Sequence, residues 1–194
     1  GIPVLGVMPW LNEVFAAEDS LDLLERKIIK PYFEIEIAVI KLPSISNFTD
    51  LDPLEIEKTV KVNWIDSAQK LGNPDAIIIP GSKQTLKDLD HLNKTGLSSK
   101  LKEYAKNGGT ILGICGGMQI LGESLIDPLG IEGTNKTKIP GLNLLPIKTI
   151  FGNKKVLLQR KEKSRWPVNA DINGYELHHG QSKLIENNEK SIKL

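Results

Sequence analysis

Cysteine is almost absent. The 194 residues contain one, Cys115, so no disulfide forms within the chain, which suits a reducing compartment. Excess charge is absent too. A formal net charge of +1 gives no electrostatic case for nucleic acid as a partner. No apolar run approaches the ~20 residues needed to cross a bilayer, and no basic stretch followed by an apolar one opens the sequence. These absences lead to the expectation of a cytoplasmic protein with neither nucleic-acid nor membrane partners. The G-x-x-x-x-G-K-[ST] spacing of a phosphate loop is missing, so Lys83 in Pro80-Gly81-Ser82-Lys83-Gln84-Thr85 resembles a phosphate-loop lysine only superficially. Internal repeats and low-complexity linkers are missing as well. The densest basic group (Lys154, Lys155, Arg160, Lys161, Lys163, Arg165) is broken by apolar residues and Glu162, and reads as a solvated strand face.

What is present is ordinary in bulk: 40% hydrophobic and 25% charged residues, enough to bury one full core. The lone cysteine is less ordinary. It stands in Gly113-Ile114-Cys115-Gly116-Gly117, after the β-branched run Thr110-Ile111-Leu112 and before Met118-Gln119-Ile120-Leu121. That order reads as strand, sharp turn, helix, the cysteine form of a nucleophile elbow. Glycines around the corner permit a strained backbone and close approach of a substrate. A helix N-terminus beside the sulfur favours negative charge there.

The rest of the chain supplies a setting for that turn. Residues 1–9 read as a short strand, and residues 21–28 show some helical spacing. Alternation predicts strands over residues 33–42 and 60–65, and an apolar run predicts another over 75–79. Between the first two lies a loop dense in turn formers, residues 44–53. Helices are predicted near residues 86–92 and 97–106, the second stopped by Asn107-Gly108-Gly109. Strands alternating with helices imply a parallel sheet covered on both faces. After Asp127-Pro128 the pattern changes to short strands and turns around residues 139–146, 154–159 and 173–178, an antiparallel extension.

In such sheets ligands bind beyond the carboxyl ends of the strands. Two loops fall there, Pro80–Thr85 and Gly113–Gly117, and if their strands are neighbours, N–H groups near Gly81, Ser82 and Gly116 converge as an oxyanion hole. A cysteine nucleophile normally works with a histidine. His91 lies in a polar helical stretch, whereas His178 and His179 end a late strand, where alternation lets at most one face the site. Neighbouring histidines without a spaced Cys, Asp or Glu partner make no zinc signature.

The run Gly113-Ile114-Cys115-Gly116-Gly117-Met118-Gln119 resembles the G-x-C-x-G-x-Q elbow of the triad-type (class I) glutamine amidotransferases, which hydrolyse glutamine to glutamate and ammonia. KLPSISNFTDLDPL at residues 41–54, the Pro80–Thr85 loop and Gly174-Tyr175-Glu176-Leu177-His178 narrow the resemblance to the glutaminase domains of corrinoid amide ligases. The elbow and the Pro-Gly-Ser loop are shared with relatives such as the subunit that amidates a cell-wall lipid precursor, which stands as the alternative. The resemblance implies an α/β fold, a flavodoxin-like, mostly parallel sheet flanked by helices with an antiparallel extension. It implies that Cys115 forms a γ-glutamyl thioester, that Gly81 or Ser82 and Gly116 donate to the oxyanion, and that Gln119 helps hold glutamine. No cofactor is implied for this chain. ATP and Mg²⁺ belong to a synthetase domain that takes the ammonia to a corrinoid substrate. Residues 1–25 are then the tail of that domain and 33–194 the amidotransferase domain. The family's histidine usually lies in a later Tyr-x-His-Gly motif, which implies a base beyond Leu194, with His178 or His179 as possible substitutes.

Overall fold

The computed structural model describes residues 32–132, 138–164 and 168–185. The expected first strand, the helical spacing at 21–28 and the synthetase tail at 1–25 lie outside them. Four parallel strands form the central sheet: β1 (Ile35–Ile40), β3 (Val60–Ile65), β4 (Ala76–Ile79) and β6 (Thr110–Gly113), in the order β3-β1-β4-β6. Register is set by Ile35 opposite Val60, Ile37 opposite Ala76 and Ala76 opposite Thr110. Strand period sends Ala38, Ile40, Ile77 and Ile79 to one face, and Ile37, Val39 and Ile78 to the other.

The first face is covered by α2 (Thr85–Lys94), α3 (Leu97–Lys106) and α4 (Gly116–Leu121). Leu86, Leu89, Leu92, Leu97 and Leu101 are each fully buried there, every one contributing about 2 kcal/mol of transfer free energy. Tyr104 Oη donates to Pro74 O at 2.9 Å and pins α3 to the entry of β4. The other face is covered more thinly. The expected loop at residues 44–53 contains β2 (Ile45–Ser46), a 3₁₀ turn (Phe48–Leu51) and the start of α1 (Asp52–Ile56), with Pro53 in its first turn. Leu51 and Leu54 pack there on Ile37, Val39 and Ile78. Leu112 of β6 stays exposed on the sheet's edge.

The later half departs from expectation in one respect. Instead of short strands, β9 (Ile147–Lys163) and β10 (Asp171–Leu184) run for 17 and 14 residues as one hairpin. Its inner end joins β7 (Ser124–Ile126) and β8 (Lys138–Pro140) in the order β10-β9-β7-β8, antiparallel except for β7 beside β9. Leu125, Ile139 and Phe151 continue the main core into this sheet. The outer end is solvated on both faces, with Leu157, Leu158, Ile172 and Tyr175 exposed. The basic group is partly neutralised across the hairpin, Arg160 Nε meeting Glu176 Oε2 at 2.6 Å and Lys163 Nζ meeting Asp171 Oδ1 at 3.0 Å. No helix among the described residues is long and apolar enough to cross a membrane.

Candidate active site

The two expected loops are neighbours because their strands are: β4 pairs with β6, and Ile114 N donates to Ile79 O at 2.9 Å just past the last paired residues. At the end of β6 the chain turns through Cys115, whose φ of 48° and ψ of −108° lie where non-glycine residues are rarely found. Such a conformation costs on the order of 1–3 kcal/mol and persists only when its surroundings over-determine it. Here they do. Gly117 N donates to Ile114 O at 2.8 Å and Gln119 N to Cys115 O at 3.2 Å. A Cβ on Gly117 would lie 2.0 Å from Ile79 O, so only glycine lets the elbow settle on the end of β4. The turn leaves the Cys115 side chain exposed at the carboxyl edge of the sheet.

Facing it is β5 (Gly81–Ser82), which pairs antiparallel with β2, Ile45 opposite Ser82 and Ser46 opposite Gly81. Lys83 N donates to Ser44 O at 2.7 Å. By the alternation of an antiparallel ladder, the Ile45–Ser82 pair is therefore the non-hydrogen-bonded one, and the Ser82 N–H points away from β2. It points toward the elbow: a Cβ on Gly116 would lie 2.9 Å from Ser82 N, and one on Gly81 would lie 3.9 Å from the Cys115 Cβ. Gly81, Ser82, Cys115 and Gly116 are thus gathered in one place, and the ladder singles out Ser82 over Gly81 as the strand residue with an outward N–H.

Gln119 is placed differently. It is buried inside α4, 6% exposed, accepts from Thr85 Oγ1 at 3.4 Å, and its amide nitrogen backs onto Gly180. It forms the floor beneath the elbow, between α2 and β10.

The histidines are also resolved. His91 lies on α2. His178 is held between Gly180 O (2.7 Å from Nδ1) and Glu176 Oε1 (2.8 Å from Nε2). The His178 ring, and then the Arg160 guanidinium, hold the Glu176 carboxyl below its ordinary range. Strict alternation fails here, because the β9–β10 register shifts between His178 and Gly180. A bulge of this kind re-aims a side chain. His179 sits in it, with a buried Nδ1 that has no hydrogen-bond partner among the described residues.

Two carboxylates beside the site, Asp88 buried and Glu132 half-buried, are not among the residues that the sequence motifs single out. Asp88, 1% exposed, lies on the core face of α2 and accepts from Ser82 Oγ at 2.5 Å and Ser44 N at 3.1 Å. Burial raises its pKa against those hydrogen bonds. The signal was a charge inside the stripe Thr85, Leu86, Leu89, Leu92. The other, Glu132, accepts from Leu86 N at 3.4 Å in the first turn of α2, and Asp127 fixes it by accepting from Ile131 N and Glu132 N, each at 2.9 Å. Burial raises the Glu132 pKa too, with its hydrogen bonds to Leu86 and Thr85 opposing; the Asp127 charge adds to the rise and the nearby His179 works against it. Since α2 lacks a side-chain cap of its own, Glu132→Ala is expected to lower unfolding free energy by about 1 kcal/mol. Glu132→Gln, which keeps an acceptor, should lose less than half of that; urea unfolding of both variants checks it.

Comparison with known proteins gives the chain's family and fold. A family model described as the CobB/CobQ-like glutamine amidotransferase domain matches residues 36–194. The chain is 58% identical over 196 residues to cobyric acid synthase of Prochlorococcus marinus (strain MIT 9313), covering 99% of this chain and 39% of that protein. It is 53% identical over 188 residues to cobyric acid synthase of Synechococcus sp. (strain RCC307), covering 96% and 38%. The chain therefore spans about two fifths of the length of these relatives. Among solved structures, PurLQS from Thermotoga maritima superposes with a TM-score of 0.57 at 17% identity, over 80% of this chain and 72% of that one. A crystal structure of a glutamine amidotransferase gives 0.53 at 17% identity, over 73% and 70%. At that identity the likeness is one of fold.

Proposed function

Because the chain belongs to the family of CobB/CobQ-like glutamine amidotransferase domains, we propose that Cys115 is its nucleophile and that the ammonia it releases serves the amidation of a corrinoid. The observation that carries this reading is the exposed thiol on a strained turn, opposed across the sheet edge by the outward N–H of Ser82. The sulfur attacks the side-chain carbonyl carbon of glutamine. Negative charge then develops on the carbonyl oxygen, where the N–H groups of Ser82 and Gly116 receive it, each such donor being worth about 3 kcal/mol. Collapse expels ammonia once the leaving nitrogen is protonated and leaves a γ-glutamyl thioester on Cys115. Water cleaves that thioester to give glutamate and the free thiol. Gly81 keeps the approach to the sulfur open, and Gln119 supports the pocket from below.

The ammonia passes to a synthetase domain, where ATP and Mg²⁺ supply the activation of the corrinoid carboxylates; the relatives' name, cobyric acid synthase, supports this part of the reading.

A glutamine-derived chloromethyl ketone tests the site. The thiolate displaces chloride and forms a stable thioether, so the chain should be labelled at Cys115 and protected by glutamine. Labelling elsewhere, or without protection, would refute the assignment. Turnover asks for more than trapping, since the leaving nitrogen also needs a proton donor. Loss of ammonia release in His179→Ala, with glutamine-protected labelling of Cys115 kept, would make His179 that donor.

A further inference from the structure

From the buried contacts between α2 and the two small strands, and resting on the glutaminase reading above, we infer that Asp88 is a positioning residue for the oxyanion hole. Its two carboxylate oxygens hold two different segments. Oδ2 accepts from Ser82 Oγ at 2.5 Å, and Oδ1 accepts from Ser44 N at 3.1 Å. Those segments are the partners in the β2–β5 ladder, joined directly by Lys83 N to Ser44 O at 2.7 Å. Two residues of ladder on each side cannot fix a strand by themselves, since even a complete isolated hairpin is marginal in water. Asp88 supplies the missing constraint from a helix whose leucines are fully buried. Ser82 Oγ also accepts from Gln84 N at 3.1 Å, so the turn into α2 is tied to the same point.

The consequence falls on the backbone of Ser82. Ser82 N and Cβ both lie against Gly116 of the elbow, and the hydroxyl beyond that Cβ is tied to Asp88, so the tether sets how the Ser82 N–H is aimed. Among the described residues no lysine or arginine pairs with Asp88, only the charge of His91 nearby favouring its carboxylate; such a buried group is an expensive way to fill a helix position, and a leucine there would extend the apolar stripe. Its place is explained by what it aims. Asp88 acts through Ser82.

Two electrophiles separate this role from a merely structural one. The chloromethyl ketone places its carbonyl oxygen in the oxyanion hole, whereas iodoacetamide needs only an accessible sulfur. In Asp88→Ala the rate of ketone labelling should fall about ten-fold or more, as expected when an oxyanion donor is misplaced, with the iodoacetamide rate within about two-fold of the parent. Asp88→Asn should restore the ketone rate, because the amide oxygen still accepts from Ser44 N and the amide nitrogen can donate to Ser82 Oγ. An unchanged ratio of the two rates in Asp88→Ala, or an equal loss in Asp88→Asn, overturns the inference. If Asp88→Ala does not fold, Ser82→Ala cuts the same tether; its ratio should fall likewise, and an unchanged ratio is again fatal. Should the unaltered chain show no glutamine-protected labelling, the glutaminase reading fails first and this inference with it. With protection intact, only the role of Asp88 is at stake.

Discussion

Cys115→Ala should leave the domain folded and lower ammonia release from glutamine by at least about a thousand-fold, the scale on which loss of a nucleophile is felt. The fold is expected to survive because the side chain is exposed, so removing the sulfur opens no cavity. The strained φ of 48° is held by the neighbours and not by the thiol. Measured in the protein joined to the proposed synthetase domain, the variant should still form amide when ammonium is supplied, because the two reactions share only the nitrogen. Glutamine-dependent amide formation that persists in this variant would remove Cys115 from the mechanism. Loss of the ammonium-dependent reaction as well would show that the substitution acts on folding.

Gly117→Ala should do the reverse and damage the fold itself. Its Cβ would lie 2.0 Å from Ile79 O and 2.8 Å from Pro80 O, both backbone atoms with no rotamer to give way. Either the end of β4 or the first turn of α4 must move; the first leads directly into β5 with Ser82, and the second begins with Gly116. A cost of about 3 kcal/mol or more is expected, at the upper end of overpacking penalties. Gly152→Ala is the matched control: a Cβ there meets nothing within 4 Å, and its effect should stay within about 0.5 kcal/mol. Urea midpoints of the two variants, compared at equal slope, decide the matter; similar midpoints would mean that the elbow is looser than its packing indicates.

The parallel sheet was legible because burial leaves a mark. Val60-Lys61-Val62-Asn63-Trp64-Ile65 alternates since one of its faces meets the core, and Ala76–Ile79 is uniformly apolar since both of its faces do. The elbow was legible because neither a buried strand nor an ordinary loop calls for three glycines crowded around one cysteine. Three features left no such mark. Strands of two residues, β2 and β5, are too short to show a period, so the ladder that turns the Ser82 N–H outward emerges only in three dimensions. Asp88 reads as one more surface charge until its neighbours on the helix face prove to be buried. The hairpin of β9 and β10 is solvated over most of its length, so only short stretches of it, around residues 154–159 and 173–178, read as strand and its full reach did not. The bulge at His179 escaped for a related reason: period-two reasoning assumes an unbroken register.

That hairpin divides the domain into two tiers of cooperativity. Near Thr149 and Phe151 the ribbon is clamped by β7 and by core side chains, and shares the fate of the whole. Past His178 toward Asp171 it rests, among the described residues, on its own ladder and exposed ion pairs. Amide protons there should exchange through local fraying long before those of β4 or β6, which wait for global unfolding. The edge of the sheet that carries the elbow is thus set apart from the loosest of the described strands, since the outer ribbon hangs on the far side of the clamp at Thr149 and Phe151.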